Sequence, residues 1–136
     1  MRPPEEVKRD LVQQWVTKAD RDFRVAEHLV SQDSPYLDAV AFHSQQAAEK
    51  YLKAFLVEQQ VEFPKTHDLA EILDVIATVD SSLAQSCRGA TELTPYGVDI
   101  RYPSDFPQMT PQRARAAVEL ARKVRETIRE LLDIRD

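Results

Sequence analysis

Apolar residues recur every three or four positions along most of this chain, and a proline or a polar cluster stands wherever a run stops. Leu11, Trp15, Ala19, Phe23, Ala26 and Val30 fall on a single stripe of a helix with 3.6 residues per turn, whereas a strand would need them at alternate positions. The spacing predicts an amphipathic helix over about Val7 to Val30. Asp33-Ser34-Pro35 then breaks the pattern and restarts it, because Ser or Asp caps orphan amides and Pro fits a first helical turn. A second helix, about Tyr36 to Gln60, follows with a core stripe of Leu37, Val40, Ala41, Ser44, Ala48, Tyr51, Leu52 and Phe55.

After Pro64, with Thr66 or Asp68 as cap, Leu69, Ile72, Leu73 and Ile76 predict a shorter third helix. Polar Ser81-Ser82 marks a further break, and a short fourth helix is expected over about Leu83 to Leu93, weakened by Gly89 inside it. Thr110-Pro111 opens a last helix whose core face is Ala114, Ala117, Val118, Ala121, Val124, Ile128, Leu131 and Leu132. Between Thr94 and Pro111, prolines and Gly97 interleave with Tyr96, Ile100, Tyr102 and Phe106, the pattern of a packed loop. With Gly89 and Gly97 its only glycines, the chain lacks the turn chemistry of a β-rich protein. The expected fold is all-α: an antiparallel up-and-down bundle of four to five helices with a long aromatic, proline-rich loop before the last helix. A single domain over residues 1–136 is expected, with its core over about 7–134.

The formal charge of −5 argues against nonspecific attraction to nucleic acid or to an anionic membrane surface. From Gln112 onward seven basic residues face five acidic ones, a local +2 that leaves −7 on the rest. Arg115, Arg122 and Arg129 at heptad spacing among Glu119, Glu126 and Glu130 read as a salt-bridged face. The lone Cys87 permits no internal disulfide and suits a reducing compartment. The first ten residues hold no apolar signal-peptide core, and no window is long and apolar enough for a membrane span. A cytoplasmic location without membrane association is the expectation. Neither a His-Glu-x-x-His nor a Glu-x-x-His pair is present, and glycine-rich phosphate loops are absent too. No metal and no cofactor are expected.

Two polar groupings carry candidate chemistry. On the second helix, His43, Gln46, Lys50 and Lys53 place an imidazole, an amide and two ammonium groups on nearby turns, as an anionic or nucleotide ligand requires. A solvated helix face has the same composition. In the loop, Arg101-Tyr102-Pro103 fixes a guanidinium fork and a stackable ring in one place. An arginine tying the loop to a carboxylate on the bundle, with the tyrosine filling a crevice, explains the same residues.

The run Phe42-His43-Ser44-Gln45-Gln46-Ala47-Ala48-Glu49-Lys50-Tyr51-Leu52-Lys53-Ala54, then Thr66-His67-Asp68-Leu69, then Arg101-Tyr102-Pro103 before a final helix, resembles the HEPN domain family over about Trp15 to Leu132. The resemblance is to the short stand-alone members, and it implies a four- or five-helix bundle, commonly homodimeric and often encoded beside a minimal nucleotidyltransferase as a toxin–antitoxin pair. Many members are metal-independent RNases that carry an Arg and, after four to six intervening residues, a His, late in the domain. Here no His follows Arg101, and the Arg21 to His28 match lies in the first helix, where the family does not place the motif. No catalytic residue is therefore assigned, and without a late imidazole the 2′-hydroxyl chemistry lacks its acid or base.

The resulting expectation is a protein that binds a nucleotide, RNA or a nucleotidyltransferase partner through His43, Gln46, Lys50, Lys53, His67, Arg101 and Tyr102. The alternatives are a ribonuclease with a divergent site and a purely structural dimeric scaffold. A homodimer is expected because Phe42 and Leu56 lie off the centre of the second helix's core stripe.

Overall fold

A computed structural model describes residues 3–97 and 108–134 of the chain. Among them are five α-helices, α1 (Pro4–Ser31), α2 (Leu37–Glu58), α3 (Leu69–Ala77), α4 (Ser81–Ser86) and α5 (Pro111–Leu131), with a 3₁₀ helix (Arg88–Gly97) between α4 and α5. No strand occurs among the described residues. No helix among them is long and apolar enough to cross a membrane.

The helix starts follow from side-chain chemistry. Asp68 accepts from the Ala70 amide, Asp80 from Leu83, and Thr110 from Arg113, each satisfying a donor that the first turn leaves orphaned. Pro111 fills a first-turn position where no N–H is needed. Ser34-Pro35 behaves differently from expectation. Ser34 Oγ accepts from the Tyr36 amide in a local turn, and α2 begins at Leu37 with no side-chain cap.

The ends of α1, α2 and α5 share one device. Ser34 N–H donates to the Leu29 carbonyl, Val61 to Leu56 and Ile134 to Arg129, while Asp33, Gln60 and Asp133 take positive φ. This is the Schellman pattern, made three times without glycine.

Later residues of α1 meet earlier residues of α2, as in the Asp22–His43 contact, and Trp15 lies near Lys53, so the two helices are antiparallel. Arg122 on Glu27 and Arg129 on Asp20 make α5 antiparallel to α1 as well. The chain thus runs up α1, down α2, back through α3, α4 and the 3₁₀ helix, and down α5. The core is lined by fully buried Tyr51, Leu52, Leu56, Leu69, Ile72, Leu73, Ile76, Leu93 and Ile128, and each such side chain contributes about 1.5–3 kcal/mol through burial.

Several expectations are corrected by this packing. Leu11 is 44% exposed, and the buried stripe of α1 runs Val12, Val16, Ala19, Phe23 and Ala26. Leu131 is likewise exposed, with Ile128 as the last buried apolar residue of α5. The fourth helix ends at Ser86, before Gly89, and the segment expected as its continuation is the 3₁₀ helix, which also takes in Thr94–Gly97 from the expected loop. Leu56, expected to need a partner for cover, is fully buried. Residues 98–107, including the Arg101-Tyr102-Pro103 segment, lie outside the described residues.

Candidate functional site

Helix α2 is the central column of the bundle, with all six residues from Tyr51 to Leu56 buried. Its polar groups therefore meet other elements rather than bulk water, and the carboxylates that meet them decide what they can do.

Toward α1, His43 Nδ1 lies 2.8 Å from one oxygen of Asp22 and Lys50 Nζ lies 2.5 Å from the other. The Asp22 side chain is 12% exposed. A carboxylate only accepts, so Nδ1 carries the proton and His43 keeps Nε2 for a ligand. The Phe42 ring stands edge-on to the imidazole at 5.3 Å.

One helical turn away the same grouping recurs. His67 Nδ1 lies 2.8 Å from one oxygen of Glu49 and Lys53 Nζ lies 3.0 Å from the other. Glu49 and Lys53 are buried, whereas the His67 side chain is 60% exposed. Burial alone would raise the Glu49 carboxyl, but hydrogen bonds from Gln45, His67 and Lys53 outweigh it and hold the group below its ordinary value. Lys53 is further enclosed by the Trp15 and Phe63 rings, which meet edge to face.

Gln45 extends the second grouping. Its carboxamide donates to Glu49 and to the His67 carbonyl, and it accepts from Gln46 at 2.7 Å. Lys53 also donates to the Thr66 carbonyl. The stretch of chain carrying His67 is thus held through its imidazole and two backbone carbonyls. Gly97 closes over the same amide: a Cβ there would overlap the Gln45 carboxamide, so only glycine fits. Gly97 is the last residue before the segment that carries Arg101 and Tyr102.

A third cluster, on Asp20, ties three helices together. Tyr51 donates to Asp20, Arg129 lies 2.8 Å from the other oxygen, and Arg125 stands 3.5 Å away. Burial and the Asp20 charge push the Tyr51 phenol well above its ordinary range, so it stays a neutral donor. Arg122 pairs with Glu27 and Glu119 and stands with Arg125 over the Phe23 ring. Of the expected salt-bridged face of α5, Arg122 pairs with Glu119, whereas Arg129 is buried against α1 rather than solvated. Burial raises the Cys87 thiol to about 11, which makes it a poor nucleophile.

Of the residues singled out in the sequence, His43 and Lys50 meet on Asp22, Gln46, Lys53 and His67 are joined through Gln45 and Glu49, and Arg101 and Tyr102 lie outside the described residues. Lys53, expected on an open face with His43, is buried because the Phe63–His67 stretch folds over it. Sequence reasoning missed Asp22, Gln45 and Glu49. The spacing Gln45, Glu49, Lys53 at i, i+4, i+8 was a readable signal for the last two, whereas nothing local points to Asp22. No group of three or more His, Cys, Asp or Glu suited to a metal ion occurs among the described residues.

Two solved structures are similar to this chain. One is the crystal structure of TT1696 from Thermus thermophilus, with a TM-score of 0.70 at 24% identity over 88% of this chain and 96% of that one. The other is that of ST0689, described as an archaeal HEPN homologue, with a TM-score of 0.68 at 25% identity over 89% and 97%. No curated protein matches the chain. The HEPN domain model matches residues 12–131, a span that takes in α1 from its third turn through the end of α5 and includes all three charged clusters. The chain belongs to the HEPN domain family.

Proposed function

We propose that this HEPN protein binds a phosphate-bearing ligand, a nucleotide or an RNA end, on the polar face of α2. The observation that supports it best is the repeated grouping of imidazole, carboxylate and ammonium on consecutive turns. In each, a carboxylate holds Nδ1 and leaves Nε2 for a ligand. Such fixed tautomers and orientations are what polar recognition needs, and the ordering cost is met by folding rather than by binding. Gln46 and Lys50, which fall between His43 and Lys53 in the sequence, supply further donors. In this reading Arg101 contributes a planar fork to phosphate and Tyr102 a ring that stacks on a base.

The reading extends to a cytoplasmic homodimer that works beside a minimal nucleotidyltransferase as a toxin–antitoxin type pair. Its support there is the family membership and the exposed Phe42 beside His43. No catalytic residue is part of the proposal, since no His follows Arg101.

Calorimetry with mono- and dinucleotides and short RNA tests it, on wild type and on Lys50→Ala with Arg101→Ala. Loss of affinity on the order of 1–3 kcal/mol is expected for the double variant, and Arg101→Lys should also weaken binding because the fork is lost. No binding by wild type at millimolar concentration removes the reading. Equal binding by the double variant places the site elsewhere and leaves Arg101-Tyr102-Pro103 as a structural clip.

A further inference from the structure

Charge bookkeeping on the α2 face limits which phosphate can bind there. Lys50 is matched by Asp22 and Lys53 by Glu49, at 2.5 and 3.0 Å. These four charges sum to zero. Among neighbouring charges, Asp68 at the start of α3 turns its carboxylate to the Ala70 amide, α5 directs Arg125 and Arg129 to Asp20, and Glu62 and Lys65 before His67 offset each other in formal charge. From the 3₁₀ helix the contributing group is the Thr94 hydroxyl, which takes the Leu69 amide.

Asp22 also behaves as a built-in ligand. Its two oxygens occupy one donor from His43 and one from Lys50, as an external anion would. An incoming singly charged phosphodiester offers those donors no more charge than Asp22 does, and it lacks the advantage of being attached to the same chain. A doubly charged group differs. Its second charge is matched when an imidazole takes a proton, and each His already has its Nδ1–H on a carboxylate that stabilises the imidazolium.

Resting on the reading of the α2 face given above, we propose that the face accepts a doubly charged anion, the terminal phosphomonoester of a nucleotide or RNA end, and takes up protons on His43 and His67 as it binds. Internal phosphodiesters are then poor ligands, and the site distinguishes an end from the body of a strand. The depressed Glu49 carboxyl supports the same step, because it stays ionised beside His67.

Sulfate is the informative probe, since it remains doubly charged throughout the neutral range and any proton taken up belongs to the protein. Titration calorimetry at one pH, in two buffers of different ionisation heat, counts those protons. Wild type should bind sulfate with net proton uptake and dimethyl phosphate at least about tenfold more weakly. Asp22→Asn frees the Lys50 charge, so it should tighten sulfate by about tenfold, the low end for a charge-assisted hydrogen bond, with less uptake. His43→Gln with His67→Gln should abolish the uptake. Circular dichroism confirms that each variant is folded.

Proton-neutral sulfate binding overturns the proposal, as does equal affinity for dimethyl phosphate or an unchanged Asp22→Asn. Sulfate binding that disappears in Arg101→Ala, with uptake indifferent to the histidine pair, overturns it in favour of an arginine fork. If nucleotides bind and lose affinity in Lys50→Ala with Arg101→Ala while sulfate binds without protons or not at all, this proposal fails and the nucleotide reading stands. If neither binds to wild type or to Asp22→Asn, both fail.

Discussion

Gln45 is the residue on which the Glu49–His67 part of the α2 face depends, and Gly97 tests that directly. A methyl group at position 97 would run into the Gln45 carboxamide. The amide cannot swing away without giving up Glu49 and the His67 carbonyl. Gly97→Ala should therefore cost about 1–3 kcal/mol, the usual range for overpacking a closed site. Gln45→Ala in the same chain should recover part of that loss. Urea unfolding of the single and double variants measures the coupling.

Glu49 carries the matching acid response. Its folded carboxyl lies below the ordinary value of 4.5, so its contribution to stability is present above that value and is lost as pH falls through the lower, folded one. Glu49→Gln should flatten the acid limb of a melting-temperature profile while lowering the neutral plateau, because Lys53 is left buried without its counter-charge. A profile whose acid limb is unchanged would assign the limb to other carboxylates. Both Gln45 and Glu49 stood in the sequence at helical spacing from Lys53, but helix periodicity alone does not separate a wet face from one covered by a distant loop.

At the scale of elements, what the sequence made legible and what it hid divide by helix. α3 and α5 are one-sided, so their apolar stripes and the Asp68 and Thr110 caps were readable from local pattern. α2 is enclosed by α1, α5, the 3₁₀ helix and the Phe63–His67 stretch, and a helix covered on most sides has no polar stripe that reports solvent. Leu56 and Lys53 were misplaced for that reason. Asp22 was invisible because its partners lie 21 and 28 residues away.

The helix ends make a separate prediction. Gln60 sits at φ 57° in the left-handed region, where a side chain costs about 1 kcal/mol and glycine costs little. Gln60→Gly should raise stability by about 0.5–1 kcal/mol, and by more than Asp33→Gly or Asp133→Gly, because Asp tolerates that conformation better. Thermal melts of the three variants rank them. A destabilised Gln60→Gly would mean that the Gln60 side chain contributes more than its backbone strain removes.

For the whole molecule the open questions are self-association and cleavage. With Leu56 buried, Phe42, at 39% exposure beside His43, is the remaining apolar group of the two that suggested a dimer face. Light scattering at tens of micromolar should give a dimer that Phe42→Glu splits, and a monomeric wild type removes the shared-face idea. RNA cleavage should be absent or very weak in chelator. Arg21 and His28, the sole Arg-to-His spacing of the ribonuclease kind, are exposed on α1, apart from the α2 network. Among the described residues no carboxylate holds His28, in contrast to the holds on His43 and His67, and its Ser31 contact is made through the backbone carbonyl. An imidazole that is not oriented by a partner is a poor general base, because only a fraction of its rotamers face a substrate. If purified protein nevertheless degraded RNA, the variants would locate the chemistry. Loss in Arg21→Ala or His28→Ala with His43→Ala still active would move the active site to α1. Loss in His43→Ala or His67→Ala alone would turn the binding face of α2 into a catalytic one, with Asp22 and Glu49 as the groups that orient its imidazoles.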